Sequence, residues 1–167
     1  MNMPAAATAP SARRLHGVIA AETPVSSSMR RLELELEEAV AFQPGQFCML
    51  NLAGEAGLVF GRPFSLLAAA GRRLSLLYKV VGRGTARLRD AGVGAPVTCL
   101  APLGRPFPAP GSRPHLLLAG GVGLPPLLAW AERWGRSCDL CCAGGRDGED
   151  LPWGLLGPSW RVSVDRP

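Results

Sequence analysis

Residues 31–37 read R-L-E-L-E-L-E, with leucine at every second position and a charged side chain between. A period of two puts the leucines on one face and the charges on the other, which a helix of 3.6 residues per turn cannot do. Arg31 to Glu37 is therefore expected to be a half-buried antiparallel strand with one wet face. Other short apolar runs lie close by: Leu15 to Ala21 before it, then Phe47 to Leu52, Phe64 to Ala69, Leu74 to Val81 and Val97 to Leu100. Pro44-Gly45, the loop Gly54 to Gly57 and the turn Gly71 to Arg73 punctuate them. One short helix is predicted over Thr85 to Ala91, with Thr85 as its N-cap and Gly92 just past its end. Many short strands and one brief helix predict a small antiparallel β-barrel over roughly residues 15 to 110.

The pattern changes after the proline- and glycine-rich stretch Pro102 to Pro114. His115 to Ala119 is a continuous apolar run, Gly120 to Gly123 a glycine turn, and Pro125 to Trp134 a predicted helix with proline in its first turn. Ser137 to Ala143 is expected to be the next strand, ending at Gly144-Gly145. Strand, helix, strand is the start of a parallel α/β layer. The boundary between the two architectures is placed near Arg113, and residues after Gly123 leave room for one helix and two strands, short of a usual doubly wound sheet.

Composition narrows the function classes. With 47% hydrophobic and 19% charged residues, the 167-residue chain lacks the signature of disorder outside its first dozen residues, MNMPAAATAPSA. The net charge of +5 comes almost wholly from arginine, since Lys79 is the only lysine. The arginines stand in ones and twos with little aromatic interleaving, which argues against a nucleic-acid surface. The longest uncharged stretch, Leu116 to Ala131, is broken by Gly120, Gly121, Gly123, Pro125 and Pro126, so no membrane span is expected. Arg13 and Arg14 are not followed by the apolar core of a secretory signal, and the cytoplasm is the expected compartment. Five cysteines, Cys48, Cys99, Cys138, Cys141 and Cys142, are an odd number without an export signal, against a disulfide framework. C-D-L-C-C is half of a metal pattern, but no second pair lies at a workable spacing and His16 and His115 are remote. Core packing is the preferred reading, and no metal ligand is assigned.

Two turns suit phosphate. A-G-G-V-G-L-P-P joins a strand to a helix, where glycines let a phosphate approach and a helix start offers N–H groups and a positive dipole end. V-G-R-G-T-A-R-L combines Gly82 and Gly84 with Thr85, Arg83 and Arg87. Either turn alone is also explained by sterics. Between them in kind is G-R-P-F-S-L-L at 61–67, a strand that carries Arg62 and Ser65 around Pro63 and Phe64. Such a segment suits an edge where a planar ligand lies, with arginine for a diphosphate and serine for a ring heteroatom; the plainer reading is an edge strand blocked by proline.

P-G-Q-F at 44–47, R-P-F-S at 62–65, L-Y-K-V-V-G-R-G-T at 77–85, G-A-P-V-T-C-L-A-P-L-G at 94–104 and L-L-L-A-G-G-V-G-L-P-P-L at 116–127 occur in the order of the ferredoxin-NADP reductase family. Over roughly residues 15 to 150 the chain resembles that family. Within it, R-P-F-S together with L-Y-K-V-V-G-R-G-T most resembles the electron-transfer subunits of dihydroorotate dehydrogenase type B. The resemblance implies an N-terminal tail (1–14), an FAD-binding β-barrel (15–112) and a partial NAD-binding α/β domain (113–167). It implies FAD contacts at Arg62, Pro63, Phe64 and Ser65, at Leu77, Tyr78 and Lys79, and at the diphosphate turn Gly84 and Thr85. Gly120, Gly121, Val122 and Gly123 would take the nicotinamide nucleotide.

The implied activity passes electrons between NAD(H) and a catalytic dehydrogenase partner in pyrimidine biosynthesis, with the cofactor supplying the chemistry and no catalytic side chain required. The sheet after Gly123 is short and the subfamily's cysteine cluster for a two-iron two-sulfur centre has no counterpart here, so FAD binding is expected to survive while NADH oxidation and iron-sulfur transfer are impaired. The alternatives are a generic NAD(P)H-flavin reductase component and a non-enzymatic docking module whose glycines are structural.

Overall fold

The computed structural model describes residues 11–53, 61–135 and 140–166. The first ten residues, the loop Gly54 to Gly57, and Ser137, Cys138 and Asp139 of the expected strand lie outside them.

Strands β1 (Arg13–Pro24), β2 (Met29–Leu36), β3 (Phe47–Leu52), β4 (Arg62–Ala70), β5 (Arg73–Lys79) and β6 (Pro96–Leu103) close an antiparallel barrel in the order β1-β2-β5-β4-β3-β6. Helix α1 (Arg83–Asp90) bridges β5 and β6. The alternation in β2 does what its period requires. Leu32, Leu34 and Leu36 are buried inside the barrel with Ile19, Leu50, Leu66, Leu74 and Leu76, while Glu33 and Glu35 stay outside with Arg31, Arg72 and Arg73. Where β1 crosses β2 the backbones touch: a Cβ on Gly17 would sit 2.3 Å from the Glu35 carbonyl oxygen.

Strand β7 (Leu116–Gly120), helix α2 (Leu124–Trp134), β8 (Leu140–Asp147) and β9 (Trp160–Arg166) form the second layer, a parallel sheet in the order β7-β8-β9. Its α2-facing side packs against the outside of the barrel. Ala119, Leu124, Leu128, Ala143 and Leu151 share a core with Met29 of β2, Leu67 of β4 and Leu77 of β5.

The structure corrects several local expectations. The N-cap of α1 is Gly82, and Thr85 sits in the first turn, its hydroxyl accepting the N–H groups of Val81 and Gly82 at 2.9 and 3.2 Å. Strand β8 continues through Gly144 and Gly145, because pairing with β7 on one side and β9 on the other overrides glycine's weak strand preference. Strand β6 runs on to Leu103, past the expected end at Leu100. The run at Leu116 is not buried throughout: Leu117 and Ala119 face α2, whereas Leu116 and Leu118 are 61% and 73% exposed. No described element covers that face.

Candidate functional site

The R-P-F-S segment opens β4, and its pairing explains the proline. Arg62 to Ser65 pair with β3 (Leu50 to Phe47), whereas the pairing with β5 begins only at Leu66. In a closed barrel this stretch keeps one open side, where a residue without an N–H costs no ladder bond. Phe64 turns inward, its ring edge-on to Tyr78 at 5.9 Å between centroids. Arg62 turns toward α1. A Cβ on Gly84 would lie 1.8 Å from Arg62 Nε and 1.9 Å from Cζ, so the guanidinium occupies the space that a side chain would take on the helix's first turn. Arginine charge, a helix N-terminus and a missing Cβ converge here. A guanidinium seated beside a helix N-terminus suits an anion.

Leu77, Tyr78 and Lys79 separate by strand alternation. Leu77 is buried between barrel and α2 layer. Tyr78 is 2% exposed, and its hydroxyl donates to Glu22 Oε1 at 2.9 Å. The same carboxylate accepts from Arg30 Nε and Nη2. That hydrogen bond and charge hold Glu22 below the usual carboxylate range, while burial and the Glu22 bond push the Tyr78 phenol upward. Lys79 alone of the three lines a cavity.

This cavity, about 350 Å³, lies between the barrel and the carboxyl ends of the parallel strands, the position where open α/β sheets bind ligands. Met29 and Lys79 contribute from the barrel, Gly121 from the glycine turn, and Gly144, Gly145, Arg146, Ser163 and Asp165 from β8 and β9. Gly121 has φ +53°, in the left-handed region that favours glycine. Gly120 and Gly123 flank it, and Val122 is 58% exposed. The helix start contributes less than the glycines suggest. Pro125 and Pro126 in the first turn of α2 carry no N–H, and the Leu124 N–H is taken by the Gly121 carbonyl. Approach to the turn therefore depends on its glycine backbone.

Sequence reasoning missed the residues that tie the two layers. Asp147, at the end of β8, accepts the Asp150 N–H at 2.9 Å and caps a short 3-10 turn, Gly148–Asp150. Asp150 then accepts from the Ser28 hydroxyl and pairs with Lys79 Nζ at 3.3 Å. The Ser28 bond and then Lys79 hold the Asp150 carboxyl below its ordinary value. Next to it, Ser27 N–H donates to the Glu149 carbonyl at 2.9 Å. No local pattern could have announced a contact across 122 residues.

The structure thus brings Arg62, Gly84 and Thr85 together at α1, and Lys79 and Gly121 together at the cavity. Ser65 is half-buried on β4 beside Phe47 of β3 and lines neither. Among the described residues no group of three or more His, Cys, Asp or Glu is placed to hold a metal. Cys48 and Cys99 are buried side by side in the barrel, and this contact together with burial raises the Cys48 thiol. Cys141 is buried in the sheet. No described helix is long and apolar enough to cross a membrane.

A closed six-stranded antiparallel barrel followed by a parallel α/β layer is the ferredoxin reductase-like fold. The ferredoxin reductase in carbazole 1,9a-dioxygenase superposes with a TM-score of 0.80 over 98% of this chain and 52% of that one, at 22% identity. Phthalate dioxygenase reductase gives 0.74 over 92% and 52%, at 21% identity. In sequence the chain is similar to the electron-transfer subunit of dihydroorotate dehydrogenase B (NAD(+)). The Bacillus caldolyticus protein is 38% identical over 96 residues, 54% of this chain and 37% of the relative. The probable Methanopyrus kandleri counterpart is 35% identical over 106 residues, 64% and 38%, and that of Shouchella clausii 36% over 107, 61% and 41%. The chain thus spans less than half the length of these curated relatives. No family model matches.

Proposed function

We propose that the chain is an FAD-binding electron-transfer module of an oxidoreductase, working between NAD(H) and a catalytic dehydrogenase subunit of the dihydroorotate-oxidising kind. The observation that carries this reading is the Arg62 guanidinium seated over Gly84 at the start of α1. A guanidinium held at a helix start, two residues along β4 from Phe64 of the buried aromatic pair, fits a cofactor with a diphosphate and a planar ring. Bound FAD would supply hydride and single-electron chemistry. The chain's own part is to hold the diphosphate with Arg62 and the α1 turn at Gly84 and Thr85, and to shape the ring side with Pro63, Phe64, Ser65 and the β5 segment Leu77 to Lys79.

The glycine turn Gly120 to Gly123 and the cavity beside Lys79 are the proposed place for the nicotinamide nucleotide. The division into a barrel unit (15–112) and a nucleotide unit (113–167) belongs to the same reading, as does a cytoplasmic setting. An iron-sulfur centre does not fit the described residues, which offer no ligand cluster, and no step is assigned to one.

An anaerobic absorbance spectrum of the purified chain incubated with FAD, before and after NADH, tests the proposal. Flavin bands that remain with the protein after gel filtration are expected, and bleaching by NADH would add that the turn Gly120 to Gly123 still takes the nicotinamide nucleotide. A protein that stays colourless would favour a second reading, supported by the exposed Leu116 and Leu118: a docking module whose open sheet face is covered by a partner.

A further inference from the structure

The cavity between the layers carries mixed charge: Lys79 and Arg146 against Asp150 and Asp165. Among the described residues, Lys79 is the cavity cation tied to an acid across the layers. Asp150, with its side chain 16% exposed, meets Lys79, 22% exposed, at 3.3 Å, and its other oxygen takes the Ser28 hydroxyl. The carboxylate is itself fixed from behind, since Asp147 caps the turn that presents it and Leu151 next to it is buried against Met29 and Leu77. A flexible ammonium on a four-carbon stem is thereby given one position in the cavity wall.

We infer that Asp150 is a positioning residue: it holds the Lys79 ammonium in the wall of the interlayer cavity and sets the charge that a bound planar cofactor or nucleotide meets there. The holding of Lys79 stands on the geometry alone. Its consequence for a cofactor rests on the function proposed above. The pair partly neutralises itself, so removing the carboxylate frees a positive charge toward the cavity, where field is weakly screened. A freed cation favours the more negative, reduced form of an electron carrier.

Lys79 is the only lysine in the chain, which makes the test clean. Its acylation rate is followed by peptide mass at about pH 8.5, roughly two units below the ordinary lysine pKa. The full-length wild type, Asp150→Asn and Ser28→Ala are compared. Asparagine keeps an acceptor for Ser28 but loses the charge; alanine at 28 loses the hydroxyl and keeps the ion pair. Asp150→Asn is expected to acylate about threefold to tenfold faster, because the amine is no longer held against a carboxylate when the reagent arrives. Ser28→Ala should stay within about twofold of wild type. Equal rates in wild type and Asp150→Asn overturn the inference. Should Asp150→Asn fail to fold, wild type in buffer against wild type in urea decides it: Lys79 must be slower in the native chain, and equal rates overturn the proposal.

In the flavin-loaded chain, Asp150→Asn is expected to raise the midpoint potential, a tenfold change in the ratio of reduced to oxidised binding reading as about 30 mV. An unchanged potential despite faster acylation overturns the charge-setting role, while the Lys79 tie and flavin binding both stand. A wild-type chain that takes up no flavin overturns the proposed function, and the acylation comparison still decides whether Asp150 holds Lys79.

Discussion

At the scale of single residues, Gly84 and Glu22 lend themselves to direct tests. Gly84 makes room for Arg62, so Gly84→Ala must push the guanidinium off the α1 turn. Flavin titration is expected to show at least a tenfold loss of affinity, with the melting temperature nearly unchanged because alanine is the better helix former. Glu22 joins Arg30 and Tyr78 in a nearly closed hydrogen-bonded group. Its folded pKa is depressed, so its stabilisation is present above the unfolded carboxylate value and lost as pH falls through the folded one. Thermal melts from pH 7 downward should show wild type losing stability below about pH 4.3, the ordinary glutamate value, and Glu22→Gln less stable at pH 7 but flatter in acid. Tyr78 works in the opposite sense. Its raised pKa makes the phenol's contribution complete below about pH 10 and fading above, as the unfolded chain ionises first.

At the scale of elements, the barrel depends on close contact between strands. The Gly17 backbone lies against Glu35, and Gly17→Val would drive β1 off β2. Urea unfolding should show a loss of about 2 kcal/mol or more, in the range for overpacking. Leu34, fully buried in the same barrel, should cost about 2–5 kcal/mol on truncation to alanine, the usual range for core leucines. Gly17→Val acts through the strand interface and Leu34→Ala through the cavity it leaves. Helix α2 behaves differently from its sequence pattern. Its prolines begin the helix well and at the same time remove the N–H donors that would make its start an anion site.

For the whole molecule, the shared core of Met29, Leu67 and Leu77 with Leu124 and Leu128 makes barrel and parallel layer melt together. Leu77→Ala is expected to lower the stability of both, read as a single shifted transition by circular dichroism and tryptophan fluorescence, because every tryptophan lies in the second layer. Non-coincident transitions would show two independent units. The period-two leucines of 31–37, the glycine turn with its prolines and the ordered R-P-F-S and G-R-G-T segments were legible in the chain, because each is a local pattern of side-chain spacing or backbone permission. The seat of Arg62 over Gly84 was legible only as two separate motifs. The continuation of β8 through two glycines, the open leucine face of β7, and the Ser28–Asp150–Lys79 tie were not legible at all. Alternation and turn chemistry are settled between neighbours in sequence, so the chain alone determines strands, helices and the order of two architectures. Which glycine receives an arginine, which leucine stays exposed and which acid meets the single lysine depend on strand pairing and layer packing across a hundred residues, and only the tertiary structure decides them.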